Sequence, residues 1–172
     1  MSQLSAPSIE RLCTHYLNNP FAAKGLDGQR RPLIHPFTGM RTIVNGKSYG
    51  LSAASYDLRI GETIRLPPGR RVLTHTLEEV AIPINVAASV ADKSSWARQG
   101  ISAFNTFFDP GFVGRPTLEL VNHASDTIEV QAGDPICQLI FHWLDQPTDR
   151  PYAGKYQFQD GTVESIHEGR HT

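Results

Sequence analysis

The sequence predicts a mainly β protein, a sandwich or barrel of short strands with one helix at the N-terminus and one short helix between strands. Two observations support this. Short runs rich in Val, Ile, Thr and Leu recur at near-regular spacing between Gly and Pro breaks. The 14 glycines and 12 prolines among 172 residues supply the turns that such strands need. Because this length is typical of one domain, we expect a single unit over residues 1–172.

An amphipathic pattern predicts the first element, a helix at about residues 5–17. Its apolar residues follow the i, i+3, i+4, i+7 and i+8 spacing of one helix face: Ile9, Leu12, Cys13, Tyr16 and Leu17. The next stretch, about 18–50, is rich in Asn, Gly and Pro, which predicts an irregular insert on the surface.

The β core is predicted at about 55–145, where seven runs of strand composition are separated by turn signals. These runs are 62–66, 71–76, 79–90, 101–108, 116–122, 127–131 and 135–143. Segment 92–100 interrupts this succession of strand runs. Asp92 or Ser94 can cap a helix and Gly100 can end it, so we predict one or two helical turns there. A polar C-terminal tail is expected from about 146 to 172.

Charge and composition exclude several classes of protein. The net charge of -1 argues against a protein that coats nucleic acid. Neither a signal peptide nor an apolar run long enough for a bilayer is visible, which predicts a cytoplasmic protein without membrane contact. Cys13 and Cys137 are far apart in sequence, so we expect no disulfide framework.

The short helix carries groups that suit a phosphate. Lys93, Ser94 and Ser95 lie at its start and Arg98 follows about one turn later, so backbone N–H groups, hydroxyls and two cations share one small surface. The alternative is a solvated polar turn, which the pattern alone slightly favours.

Glu119 shares one face of its predicted strand with Thr117 and Val121. Such a carboxylate either lies on the solvent side of a sheet, which is the commoner case, or is buried for acid/base work. Asp109 is first of all a turn residue. The aromatic and polar residues at 152–159 either fold over a ligand or anchor the tail.

The seven histidines do not form a metal-binding pattern. The sequence contains neither H-E-x-x-H nor the H-x-E and P-C-x-x-C signature of zinc nucleobase deaminases. We therefore expect no zinc held by the protein.

Several segments together resemble dCTP deaminases, which share a superfamily with trimeric dUTPases. The order and rough spacing of the motifs hold over about 100 residues. The matching segments are S-Y-D-L-R-I-G at 55–61, P-G at 68–69, T-L-E at 76–78, K-S-S-W-A-R-Q-G at 93–100, D-P-G-F-V-G at 109–114, L-E at 118–119, Q-L at 138–139 and P-Y-A-G-K-Y-Q-F-Q at 151–159.

The resemblance implies a distorted jelly-roll fold of the dUTPase-like type and a homotrimer with three sites between subunits. It implies a deoxyribonucleoside triphosphate as substrate, Mg²⁺ bound with the triphosphate, and removal of the 4-amino group of dCTP without zinc. Since ammonia is a poor leaving group, one carboxyl group must both give and take protons.

The resemblance also implies roles for individual residues. Glu119 would be the general acid/base, while Ser94 and Arg98 would position water and stabilise charge at carbon 4. Asp109 would contact the deoxyribose and Phe112 would pack against it. The remaining substrate-binding residues, several of them on phosphates, would be Lys93, Ser95, Thr117, Gln138, Tyr152, Lys155 and Gln159.

The sequence departs from the family pattern in two places, and the first of them concerns the base. The stretch between Gly100 and Asp109 is about two residues shorter than in family deaminases, and we expect residues 102–108 to lie against the pyrimidine. Trp96 and Gln99 replace the usual aliphatic residues of the short helix. Because of the shorter loop, base selectivity is expected to be altered, towards tolerance of a 5-substituted cytosine.

Other functions of the same fold stay open at this point. They are a dUTP diphosphatase, a bifunctional enzyme that continues to dUMP, a pyrophosphatase for another pyrimidine deoxynucleotide, and a catalytically idle nucleotide-binding relative. Joint retention of Glu119, Ser94 and Arg98 argues against the idle relative.

Overall fold

A computed structural model describes residues 2–167, and most of its regular structure is β. The helices are α1 (Ala6–Thr14) and α2 (Ser94–Ala97), with one turn of 3-10 helix, Tyr16–Asn18, after α1. The strands are β1 (Ser2–Gln3), β2 (Ile34–His35), β3 (Thr42–Val44), β4 (Lys47–Leu51), β5 (Tyr56–Arg59), β6 (Ile64–Leu66), β7 (Arg71–His75), β8 (Glu79–Ala81), β9 (Val86–Asp92), β10 (Ile101–Ala103), β11 (Phe107–Phe108), β12 (Val113–Gly114), β13 (Thr117–Asn122), β14 (Ile128–Val130) and β15 (Pro135–Trp143).

The largest sheet is built around β15, which pairs antiparallel with β9 on one side and β5 on the other. Its strand order is β11-β9-β15-β5-β4-β3, and β1 also pairs with β15. Three smaller sheets follow the orders β10-β13-β7, β12-β8-β2 and β14-β6. Their apolar faces meet in one cluster that includes Leu58, Leu118, Leu139 and Phe141, so the sheets share a core.

The N-terminal helix is shorter than its apolar pattern predicts. Ile9, Leu12 and Cys13 are buried as expected, but the helix ends at Thr14 and Leu17 is 63 % exposed. His15 leaves the helical conformation, and the chain is extended at Asn19, as the residue before a proline prefers.

The expectation of an irregular insert at 18–50 is wrong for part of that stretch. Strand β2 lies within it, and β3 and β4 form a hairpin that extends the largest sheet through β5. The turn of the hairpin is Asn45-Gly46, and both residues have positive φ (48° and 72°). This is the turn chemistry that two-residue hairpins require.

Two of the predicted strand runs are each divided between two sheets. Run 79–90 is interrupted near Pro83, so β8 joins the sheet of β12 while β9 joins the largest sheet. Run 101–108 is interrupted at 104–106, where the chain crosses from β10 in one sheet to β11 in another. Within the part of the chain described, no helix is both long and apolar enough to cross a membrane.

Candidate active site

A cavity of about 350 Å³ lies between the β7–β13 pair, segment 106–112 and the C-terminal tail. Half of the twelve residues that the sequence singles out line it. They are Asp109, Phe112, Thr117, Glu119, Tyr152 and Gln159. The fold thus brings together residues that are up to 50 positions apart in the chain.

The floor of the cavity is one face of the β7–β13 pair. Thr117 and Glu119 point into the cavity, whereas Leu118 and Leu120 are buried on the opposite face. The antiparallel register places Glu119 opposite Leu73 and Val121 opposite Arg71. Since directly paired residues share a face, Leu73 and Arg71 also line the cavity.

One wall is formed by the Asp109-Pro110-Gly111 turn and the aromatic side chains beside it. The ring of Phe112 packs against Phe108, with centroids 5.0 Å apart, and against Tyr152, with centroids 5.8 Å apart. Gly111 has a φ of 93°, and a Cβ atom there would lie 2.7 Å from Cβ of Pro151. A glycine at this position therefore allows the tail to approach the turn.

The C-terminal tail crosses the cavity and is held by specific hydrogen bonds. The N–H of Val163 donates to Oγ1 of Thr117 (3.1 Å), and Nε2 of Gln159 donates to the carbonyl of Arg115 (2.7 Å). Gln157 accepts from the N–H of Val113 and donates to the carbonyl of Gly111. In this chain Thr117 is thus a tether for the tail as well as a cavity residue.

The second group of predicted residues lies around α2 and does not line the cavity. Ser94 and Arg98 are exposed. Lys93 is buried, and its Nζ donates to Oδ2 of Asp57 at 2.7 Å. Gln138 joins this group, since its Nε2 donates to the carbonyl of Asp92 (2.9 Å).

Ser95 and Lys155 also lie outside the cavity lining. The hydroxyl of Ser95 is buried and has no hydrogen-bond partner among residues 2–167. Nζ of Lys155 lies 5.4 Å from the centroid of the Tyr156 ring and donates to the carbonyl of Ile166. In a single chain eleven of the twelve predicted residues therefore form two separate sets, and Lys155 lies on the tail outside both.

Several cavity residues were not predicted from the sequence, among them Arg71, Leu73 and Val163. Of the stretch expected to face the base, only 106–108 reaches the cavity, because β10 is paired with β13. The alternation of Arg71 with Leu73 is visible in the sequence. Its relation to Glu119 depends on the β7–β13 register, which no local pattern specifies.

Buried charge lies in the core rather than on the cavity floor. Glu78 is fully buried and accepts hydrogen bonds from Nε of Arg59 (2.7 Å) and from the N–H of Arg59 (2.8 Å). Burial raises the pKa of Glu78, and the Arg59 guanidinium opposes this shift. Burial also raises the pKa of Cys137, which with Cys13 is a free thiol. None of these groups lines the cavity.

The described residues do not form a metal-binding cluster of three or more His, Cys, Asp or Glu side chains. The cavity offers two carboxylates, Asp109 and Glu119, on different elements. This donor set suits a divalent ion carried mainly by phosphate oxygens better than an ion held by the protein alone.

Comparison with known proteins places the chain in a family. The dCTP deaminase-like family model matches residues 57–144. The dCTP deaminase of Thermococcus gammatolerans is 31% identical over 144 residues, which cover 75% of this chain and 86% of that protein. The dCTP deaminase of Pyrococcus horikoshii is 34% identical over 140 residues, covering 73% and 84%. An Aquifex aeolicus protein named dCTP deaminase, dUMP-forming, is 40% identical over 109 residues, covering 63% and 61%.

Solved structures agree on the fold. A dUTPase from phage phi11 of S. aureus matches with a TM-score of 0.53 at 17% identity, covering 73% of this chain and 97% of that chain. The Staphylococcus bacteriophage 80alpha dUTPase matches with a TM-score of 0.51 at 15% identity, covering 67% and 89%. These likenesses confirm the dUTPase-like, mainly β fold, although the strands do not close into one barrel. With its family model and its relatives in agreement, the chain belongs to the dCTP deaminase-like family.

Proposed function

We propose that the protein deaminates dCTP to dUTP and ammonia without zinc. The observation that carries this proposal is the placement of Glu119 on the floor of a cavity whose wall holds Asp109 and Phe112. The carboxyl group of Glu119, which can transfer protons, therefore faces a space where Asp109 offers a nucleoside a polar contact and Phe112 an aromatic one. Membership of the dCTP deaminase-like family supports the same reaction.

Glu119 is the proton carrier of the proposed reaction. It accepts a proton from the water that attacks carbon 4 of the pyrimidine, and it returns a proton so that nitrogen leaves as ammonia rather than as an amide ion. Each turnover consumes one water and one dCTP and yields one dUTP and one ammonia. Asp109 contacts the deoxyribose, and Phe112 packs against the sugar where a 2′-hydroxyl would project.

The triphosphate needs more positive charge than one cavity supplies. Among the described residues that line the cavity, Arg71 is the only Lys or Arg. We therefore assign Ser94, Ser95, Arg98 and Gln138 to the same site from a neighbouring subunit of a homotrimer. There Ser94 and Arg98 position water and stabilise charge at carbon 4, and Ser95 holds a phosphate. Arg98 and Ser94 are exposed in the single chain, which leaves them free to complete the site across an interface.

The tail and a divalent ion complete the proposed complex. Tyr152, Lys155 and Gln159 hold phosphates, with Lys93 a further candidate after release from Asp57. Mg²⁺ enters with the triphosphate and neutralises part of its charge. The substrate is a metabolite of the cytoplasm, and we propose that compartment for the enzyme.

The decisive assay incubates the purified protein with dCTP or dUTP and follows ammonia and pyrophosphate together. Ammonia from dCTP without pyrophosphate is expected. Pyrophosphate with both substrates would indicate the dUMP-forming reaction, and pyrophosphate from dUTP alone would contradict deamination. Adding 5-substituted dCTP to the panel tests the expected change in base selectivity, which a loss of about 10³-fold in kcat/KM would exclude.

Glu119→Gln tests the role of the carboxyl group. The amide keeps the shape but cannot carry the proton, so turnover should fall by about 10²–10⁴-fold while dCTP still binds in calorimetry. Glu129→Gln, at an exposed carboxyl group on β14, is the matched control and should retain activity. Turnover of the Glu119 variant at the control rate would remove this residue from the mechanism.

A further inference from the structure

Arg71 is the cation of the cavity, and the predicted catalytic set does not use it. It begins β7, it is exposed, and its guanidinium has no ion pair or hydrogen bond with any residue among 2–167. A guanidinium carries five N–H donors and no acceptor. Because the N–H groups of Arg71 are unpaired and lie in the cavity near the carboxyl group of Glu119, they are available to bind a substrate.

The register fixes which end of the cavity Arg71 occupies. Arg71 is the diagonal neighbour of Glu119 across the β7–β13 pair, roughly 7–8 Å away. The tail is tethered at the other end, through Thr117. If the tail holds phosphates, as the proposed function requires, Arg71 lies on the side of Glu119 that faces the base.

The neighbouring loop uses part of its main chain for hydrogen bonds within the protein. The N–H of Phe104 donates to the carbonyl of Glu119 (3.0 Å), and the carbonyl of Thr106 accepts from the N–H of Val90 (2.9 Å). Two main-chain groups at the ends of the 104–106 loop are thus used within the protein. A side-chain donor at this end of the cavity can take the place of the Phe104 N–H, which is already bonded to the carbonyl of Glu119.

We propose that Arg71 is a further catalytic residue of the deaminase, donating hydrogen bonds to the O2 carbonyl oxygen of the pyrimidine. This inference rests on the proposed function. When water adds to carbon 4, its oxygen forms a bond to that carbon and the C4–N3 π pair moves onto N3, from where it is shared with O2. The water proton goes to Glu119. Charge therefore grows on O2 during this step, and a fixed cation there stabilises the adduct more than the ground state.

The test compares three variants of the protein, each with a single substitution. Arg71→Met removes the charge and the donors, and Arg71→Lys keeps the charge but loses the fork. Arg70→Met is the control, because Arg70 is the exposed neighbour of Arg71 and does not line the cavity. Arg71→Met should lower kcat for dCTP roughly 10–100-fold with a smaller change in KM, as expected for a lost charged hydrogen bond. Arg71→Lys should fall between it and the wild type, and Arg70→Met should match the wild type.

Two results would overturn the role of Arg71 in a protein that deaminates dCTP. One is equal activity of Arg71→Met and Arg70→Met. The other is a loss confined to KM that disappears when dCMP replaces dCTP, which would assign Arg71 to phosphate binding. Circular dichroism and thermal melting show whether each variant is folded. Absence of ammonia release by the wild type is a different outcome, since it overturns the proposed function and this inference with it.

Discussion

Tyr56 is a polar side chain that the fold buries completely, and its hydroxyl group is satisfied there. The ring stacks on Phe37 with centroids 5.7 Å apart, and the hydroxyl oxygen accepts a hydrogen bond from the N–H of Thr38 (3.0 Å). Burial raises the pKa of Tyr56 from 10.0 to about 12, because the phenolate would lose its hydration. The S-Y-D-L-R motif therefore contributes a core anchor as well as its strand.

This shift predicts a loss of stability in alkaline solution. Below pH 10 the hydroxyl is protonated in both states and its contribution is constant. Between pH 10 and about 12 the unfolded chain has lost this proton while the folded protein keeps it, so the free energy of unfolding falls as pH rises. The loss should reach at most about 3 kcal/mol.

Urea denaturation from pH 8 to 12 measures the effect by comparing wild type with Tyr56→Phe. The variant should be less stable at pH 8 by about 1–3 kcal/mol, since the N–H of Thr38 loses its acceptor. The difference between the two proteins should shrink as pH rises above 10. A difference that stays constant up to pH 12 would contradict the raised pKa.

Among the elements, the β3–β4 hairpin attaches one part of the 18–50 stretch to the β core. Asp134, with a side chain 3 % exposed, accepts hydrogen bonds from Nδ2 of Asn45 (2.9 Å) and Nζ of Lys47 (3.2 Å). The same Nζ lies 4.7 Å from the centroid of the Trp96 ring, and Nε1 of Trp96 donates to the carbonyl of Pro135 (2.7 Å). The hairpin thus packs against α2 through the contact of Lys47 with Trp96.

Lys47→Met should destabilise the protein by about 2 kcal/mol, because it leaves the nearly buried carboxyl group of Asp134 with one side-chain donor. Arg65→Met is the matched control. It removes an exposed pair with Glu129 at 3.8 Å, and should cost less than about 1 kcal/mol. Adding Asp134→Asn to Lys47→Met should restore part of the lost stability. Equal losses in both single variants, measured by chemical denaturation, would show that the Asp134 contacts are not stabilising.

The hairpin also shows what the sequence can predict about this fold. Strand composition located β6, β7, β13 and β15 to within two residues, since each is a short apolar run between turn signals. The β3–β4 hairpin is not predicted, although Asn-Gly directly after β-branched residues is a hairpin signal. The Gly and Pro content on both sides of it suggested a continuous loop.

The candidate site was predictable only in part, for a related reason. Alternation along β13 placed Glu119 and Thr117 on one face, and the family motifs supplied Asp109 and Phe112. The position of Arg71 in the cavity depends on strand pairing between distant segments. The separation of Arg98 from the cavity depends on the path of the chain between sheets. Neither property is encoded in a local pattern.

The Asp109-Pro110-Gly111 turn packs directly against the C-terminal tail. A pair of glycine variants can test whether the position of the tail depends on this contact. Gly111 and Gly133 both have positive φ, 93° and 84°. A Cβ atom at Gly133 would have nothing within 4 Å, whereas one at Gly111 would collide with Pro151. Gly133→Ala should therefore cost only the backbone strain, about 1–2 kcal/mol.

Gly111→Ala should cost more than Gly133→Ala and should also weaken nucleotide binding. The extra methyl group pushes Pro151 and Tyr152 away from the turn, and the tail residues behind them then lose their place over the cavity. Thermal melting and dCTP calorimetry on the two variants separate the effects. Equal affinity for dCTP in both would mean that the tail does not depend on this contact.

For the whole molecule, the division of the predicted residues into two sets has a consequence for assembly. Glu119, Asp109 and Phe112 line the cavity, while Ser94 and Arg98 lie exposed around α2. A site that needs both sets is complete only if α2 of one subunit meets the cavity of another. Closed cyclic symmetry then gives one such site per subunit, three in a trimer.

This arrangement predicts that two inactive variants recover activity when they assemble into one oligomer. Glu119→Gln damages the cavity, and Arg98→Met damages α2. When both chains are co-expressed with different tags and the mixed oligomer is purified, some sites combine the intact cavity of one chain with the intact α2 of the other. A ring of three that contains both chains has one such site among its three, so the purified mixed oligomer should return about a third of wild-type activity. Light scattering should give three times the chain mass of 19.0 kDa.

The matched control pairs Glu119→Gln with Asp109→Asn, which lie in the same cavity. Whichever chain supplies the cavity then supplies a damaged one, so mixed oligomers of this pair should stay inactive. Recovery with Arg98→Met but not with Asp109→Asn requires a site shared between subunits, because simple stabilisation by mixing would help both pairs alike. No recovery in either mixed trimer would place Arg98 and Glu119 in the site of the same chain, and a fully active monomer would remove the assembly from the mechanism altogether.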